Sequence, residues 1–99
     1  MTTWITMGKA EDLGFLPAFI DDNDQRPARE QLKENYAHGG GWRPMSGWIR
    51  MGTVITYPGD PPMRPIAMTK LRDETLYLYP HAFLMILQKD GSFEVSRVD

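Results

Sequence analysis

The chain has 99 residues, no cysteine and a formal net charge of −2, with 41% hydrophobic and 24% charged side chains. This is the composition of one globular domain with a modest core, in which folding buries roughly 60–65% of the surface the unfolded chain exposes. It excludes disulfides, thiolate metal sites and thiol catalysis, and it fits the reducing cytoplasm.

The opening MTTWITM has neither the basic start nor the long apolar stretch of a secretory signal. No apolar run approaches the ~20 residues of a membrane span. A soluble cytoplasmic protein without membrane contact is expected. TTWITM (2–7) favours a short strand. DLGFLPAFI (12–20) is apolar but broken by Gly14 and Pro17, which predicts a turn and a short helix on the core.

The clearest helix lies in QRPAREQLKENYAH, after DDND (21–24). Asp22, Asn23 or Asp24 can accept its orphan amides, and Pro27 suits its first turn. Ala28, Leu32 and Tyr36 make one narrow apolar stripe, so the helix lies on something rather than inside it. The stripe stops at His38 and Gly39, a residue suited to the left-handed cap.

The remainder reads as β-structure. WIRMGTVITY (48–57) predicts a hairpin around Gly52–Thr53, pairing Met51 with Val54, Arg50 with Ile55, Ile49 with Thr56 and Trp48 with Tyr57. Trp48, Arg50, Ile55 and Tyr57 then share one face. PGDPPMRP (58–65) cannot be a central strand, because its prolines lack ladder donors, and reads as an ordered loop. IAMTKL (66–71) fits strand or helix, with strand preferred. ETLYLYP (74–80) alternates, AFLMILQ (82–88) is continuously apolar, and FEVSRV (93–98) returns through KDGS, whose Asp-Gly predicts a type I′ turn. The fold class is α+β: one main N-terminal helix packed on a mainly antiparallel four- to six-stranded sheet, in a single domain spanning residues 1–99.

Charge is unevenly spread. Residues 1–41 carry −3, residues 42–72 carry +4 and residues 73–99 carry −3. The cationic middle also holds Trp42, Trp48 and Tyr57, so scattered surface charge competes there with an anion- or partner-facing surface. Neither a calcium loop, a Walker loop nor a dinucleotide fingerprint is present. Counting from Asp21, Arg26 and Leu32 stand where a calcium loop needs glycine and glutamate, and Pro44 replaces the third glycine of the fingerprint. His38 and His81 lack zinc spacing, and no cofactor or metal is expected.

The amides of Gly40 and Gly41 can still face an anion that Arg43 clamps. The alternative is architectural: Gly39 caps the helix, Gly40 and Gly41 turn the chain and Trp42 plugs the core. An Arg43–Asp60 pair would likewise lock the glycine-rich and proline-rich loops together. The candidate ligand-binding set is His38, Gly40, Gly41, Trp42, Arg43, Trp48, Arg50, Tyr57 and Asp60. No catalytic residue is assigned, since no serine sits in a nucleophile elbow.

The succession YAHGGGWRP, YPGDPP and DGSFEVSR, spanning residues 36–97, resembles small uncharacterised single-domain proteins of phages and prophages. It contains no mechanistic motif. What the resemblance implies is context: such proteins often bind a host protein or a signalling molecule. The expected function is a small non-catalytic binding module for a host protein or an anionic small molecule such as a nucleotide. Duplex nucleic acid is not an expected partner, given the acidic balance. Homodimerisation is expected, because the 66–88 region is very apolar and Tyr77 and Tyr79 suit an interface. The alternatives are a small hydrolase or nucleotide-processing enzyme using His38, Arg43 and Asp60, and a structural component of a phage particle or assembly.

Overall fold

The computed structural model describes residues 4–7, 20–35 and 42–98, with the backbone alone for 42–44 and 98. The elements in order are β1 (Ile5–Thr6), α1 (Ala28–Asn35), β2 (Trp42–Met45), β3 (Ile49–Met51), β4 (Val54–Thr56), β5 (Ala67–Leu71), β6 (Glu74–Leu78), β7 (Phe83–Leu87) and β8 (Phe93–Val98). Six strands form one antiparallel sheet in the order β1-β5-β6-β7-β8-β2, and β3 and β4 form a separate two-stranded sheet. The α+β class and the antiparallel pairing agree with the sequence reading. The helix is not N-terminal, however, since β1 precedes it and pairs with β5 at the far edge of the sheet.

The central strands bury both faces. Leu71, Leu76, Leu78, Leu84 and Ile86 pack with Ala28 and Leu32 of α1 and with Ile20 on one side. On the other side Tyr79, Met85 and Val95 enclose Ile55 from the β3–β4 hairpin, with Tyr77, Phe83, Leu87 and Phe93 at the margin. The sheet is thus a middle layer between a helix and a hairpin. This accounts for the unbroken apolar run at 83–87: a strand covered on both faces has no polar alternation to show. Of the two tyrosines expected at a dimer interface, Tyr77 is half-buried and Tyr79 lies in the core. Tyr79 is 1% exposed and donates its hydroxyl to the Thr53 carbonyl at 2.6 Å, so it serves the core rather than an interface.

The turns follow local chemistry. Gly52 has φ +61° and Thr53 has none of the positive values, so the β3–β4 turn is the expected Gly-X kind in the expected register. The β7–β8 turn differs from expectation. Gly91 alone has positive φ (+92°), its amide donates to Gln88 O at 3.0 Å, and Gln88 N donates to Ser92 O at 2.8 Å. That is a type I turn closed by a glycine bulge rather than type I′. Asp90 Oδ1 favours it by accepting both the Ser92 amide at 3.0 Å and the Ser92 hydroxyl at 2.7 Å. Strand β2 was not anticipated. Pro44 is tolerated because β2 is an edge strand, paired only with β8.

The helix is anchored from the tip of the β5–β6 hairpin. The Ala28 amide donates to Glu74 Oε1 at 2.8 Å, and Gln88 Nε2 donates to Glu74 Oε2 at 2.9 Å. The expected cap from Asp22, Asn23 or Asp24 is therefore replaced at this amide by a carboxylate on β6. In the preceding loop Asp24 Oδ1 instead accepts the Arg26 amide at 3.0 Å. Arg72, in the two-residue turn before Glu74, has φ +54°. Its guanidinium donates to the carbonyls of Asp24 at 2.9 Å and Arg26 at 2.7 Å. Those charge-assisted bonds offset the strain of a non-glycine residue in the left-handed region.

Candidate functional site

Between the β3–β4 hairpin, the proline-rich loop and the β6–β7 connection lies a groove of about 1270 Å³. Its position follows from the loop. Tyr57 O accepts the Asp60 amide at 2.9 Å, closing a turn with Pro58 and Gly59 at its centre; Gly59 has φ +93°, the value a type II turn demands. The chain then comes back along β4. Met63 N donates to Ile55 O at 2.9 Å and Ile55 N to Met63 O at 3.1 Å. The loop is thereby fixed to the hairpin without needing donors from Pro61, Pro62 or Pro65. On the near side Met7 N donates to Ile66 O at 2.7 Å, which brings Met7 to the groove.

The wall is aromatic. Trp48 meets Tyr57 edge-on at 5.4 Å between ring centroids and Phe83 edge-on at 5.3 Å. Gly47 has φ +93°, and a Cβ there would come within 3.2 Å of the Tyr57 ring, so the strand entry leaves room for that ring. Tyr57 remains 40% exposed and Met45 37% exposed, facing the groove with Met63 and the prolines. The indole Nε1 of Trp48 has no solvent contact and no hydrogen-bond partner among the described residues. Behind the wall, Tyr79 reaches Thr53; burial pushes the Tyr79 hydroxyl well above its ordinary range, so it remains a neutral donor.

Charged and titratable side chains sit around this apolar surface. Asp60, Arg64 and His81 all line the groove and all are exposed. Among the described residues none of the three has a side-chain hydrogen bond or ion pair. His81 and Ala82 stand in the left-handed region with φ +67° and +65°, in the turn Pro80–Ala82 that forms one lip. Non-glycine residues held there store strain, which concentrates at ligand clamps and switch regions.

Comparison with protein-family models, curated proteins and solved structures returned no match. The site therefore rests on its own geometry.

Of the residues singled out in the sequence, the structure brings Trp48, Tyr57 and Asp60 together on the groove. His38, Gly40 and Gly41 lie outside the described residues. Trp42 and Arg43 stand on edge strand β2, opposite Val98 and Arg97. Arg50 is elsewhere. Its guanidinium lies 5.8 Å from the Phe93 ring centroid and donates to Gly52 O at 2.9 Å, tying the hairpin to the start of β8. The hairpin face carrying Trp48, Arg50, Ile55 and Tyr57 is turned toward the main sheet, with Ile55 fully buried. Its opposite side exposes Ile49 (56%) and Met51 (76%). Arg64, His81, Met63 and Phe83 had no place in the sequence-based set. The proline-rich loop was flagged, but nothing local marks which of its residues meets the turn after β6.

Among the described residues no group of three or more His, Asp or Glu side chains is placed to hold a metal ion, and no helix is long and apolar enough to cross a membrane.

Proposed function

We propose that the protein is a non-catalytic binding module whose ligand seats in the groove between the hairpin, the proline-rich loop and the Pro80–Ala82 turn. One observation carries this reading: an apolar, aromatic-walled groove rimmed by Asp60, Arg64 and His81, none of whose side chains has a hydrogen bond or ion pair among the described residues. Concave apolar surfaces with a few convergent polar groups are the usual form of binding sites. Unpaired rim charges give orientation and specificity. Turnover would require more. A general base or nucleophile is held by a second and a third group, and neither the His81 imidazole nor the Asp60 carboxylate has a described partner holding it.

The ligand classes consistent with this rim are a segment of a partner protein and an anionic small molecule carrying an apolar ring, nucleotides included. Arg64, which lines the groove, is the residue placed to meet an anionic group there. A phage or prophage setting, implied by the sequence resemblance, agrees with a small module that acts by capture. The test is titration of the isotope-labelled full chain with a nucleotide panel and a peptide panel, followed by amide chemical shifts. Saturable shifts confined to residues 45–66 and 80–83, with the ligand recovered unchanged, support binding. Chemical conversion of the ligand supports the hydrolase alternative, and no shift in the groove with any ligand rejects the site.

A further inference from the structure

We infer that Arg43 and Arg97, opposed across the edge of the main sheet, form a seat for the phosphate of a phosphomonoester whose apolar ring lies in the groove. The ring's placement rests on the binding-module reading; the phosphate seat stands on separate observations.

The register carries the seat. Edge strand β2 pairs with β8 so that Arg43 stands directly opposite Arg97, and Met45 directly opposite Val95. On its other side β8 pairs with β7, where Arg97 stands opposite Phe83. Residues directly opposite each other in an antiparallel pair share one face, with Cβ atoms ~4.5–5.5 Å apart. That face is the hairpin side of the sheet, since Val95 and Phe83 pack there around Ile55. The exposed Arg97 guanidinium agrees, lying 5.7 Å from the Phe83 ring centroid. Phe83, Arg97 and Arg43 thus make one row across three strands that ends at the sheet edge.

The row continues the groove. Phe83 and Met45 both line it. Arg97 is the neighbour of Phe83 across the ladder, and Arg43 precedes Met45 by two residues, ~7 Å along the strand. Like charges directly opposite each other destabilise a sheet. An oxyanion between them replaces that repulsion with attraction, because each guanidinium is a planar fork of N–H donors that grips phosphate oxygens in pairs. Five donors per guanidinium are more than any one contact uses. Charge selects the oxyanion: a phosphomonoester carries about −1.5 to −2 at pH 7 and balances two guanidinium groups, whereas a carboxylate balances one.

The experiment titrates the isotope-labelled full chain, at neutral pH and constant ionic strength, with inorganic phosphate, acetate, adenosine and adenosine monophosphate. Phosphate should shift the amides of residues 43 and 97 and the Arg97 Nε–H resonance saturably. Acetate should bind at least about tenfold more weakly, the loss expected for one charge-assisted hydrogen bond. Arg43→Gln and Arg97→Gln should each weaken phosphate by at least about tenfold, and Arg64→Gln by less than about twofold. Without phosphate, Arg43→Gln should raise Tm, because the like-charge pair is gone. Adenosine monophosphate should bind more tightly than phosphate and add shifts at Trp48 and Tyr57. Equal affinity for phosphate and acetate overturns the seat, as does phosphate binding that is lost in Arg64→Gln and kept in the other two variants. A lower Tm of Arg43→Gln without phosphate also overturns it, by showing that an acid of the chain already balances the pair. Adenosine shifts in the groove without phosphate binding overturn the seat while leaving the binding module standing. Phosphate bound at the pair with no groove shift from either adenosine compound upholds the seat and overturns the ring's placement.

Discussion

Replacing Glu74 tests the argument that a strand carboxylate holds the helix. Glu74 is 9% exposed, accepts the Ala28 amide at 2.8 Å and the Gln88 side chain at 2.9 Å. A hydrogen bond to a charged group contributes ~1.5–3 kcal/mol, and orphaning its buried partner forfeits most of that. Negative charge at a helix start adds ~0.3–1 kcal/mol. Gln88 is exposed and can turn to water, so its bond counts for ~0.5 kcal/mol. Glu74→Ala should therefore cost about 2–4 kcal/mol, a fall in Tm of roughly 10–25 °C for a domain of this size. Glu74→Gln keeps an acceptor for the amide and loses the charge, so it should cost ~1 kcal/mol. Urea unfolding followed by circular dichroism gives both values, and hydrogen exchange locates the effect at residues 28–31. A loss below ~0.5 kcal/mol in the alanine variant, or equal losses in both variants, would refute the reasoning.

Three further outcomes follow from the geometry. Ala82→Gly should raise Tm by about 2–6 °C, because relief of a left-handed alanine (φ +65°) outweighs the added freedom of the unfolded chain; a lower Tm would contradict the assigned backbone. Tyr79→Phe should cost ~1–2 kcal/mol by leaving the Thr53 carbonyl without its 2.6 Å donor, read as a lower urea midpoint at unchanged m-value. Hydrogen bonds from Arg26 lower the Asp24 carboxyl from 3.8 to about 2. A depressed folded pKa stabilises above the unfolded value, so this contribution is present above pH 3.8 and is lost as pH falls through 2. Carboxyl carbon shifts should titrate near that lower value in the parent chain and near the ordinary one in Arg26→Ala.

What was legible in the sequence was local. The 48–57 hairpin appeared with its register correct because Gly52 marks the turn and the strands alternate around it. The 83–87 strand announced its burial through composition. The β7–β8 turn was misjudged because Asp-Gly fits both a type I′ turn and a type I turn with a glycine bulge. The choice is made by Asp90 binding Ser92, two residues on. The helix cap was out of reach, since Glu74 is 46 residues from Ala28 and the nearer acids 21–24 offered a sufficient local explanation. The groove was half legible. Tyr57 and Asp60 lie in a loop whose prolines call attention to it, while Arg64 and His81 meet only through the tertiary arrangement. Arg50 shares its strand face with Trp48 and Tyr57, and only the tertiary arrangement shows its guanidinium meeting Phe93 and the Gly52 carbonyl instead of lining the groove.

The β5–β6 tip governs when the helix can form as well as where it sits. Eight residues are too few to persist as an isolated helix in water. The groups that hold this one, the Glu74 carboxylate on its first amide and the Arg72 guanidinium on the carbonyls leading into it, exist in position only once β5 and β6 have paired. The helix therefore depends on the hairpin for its persistence, and a variant that unpairs β5 from β6 should lose the helix with it.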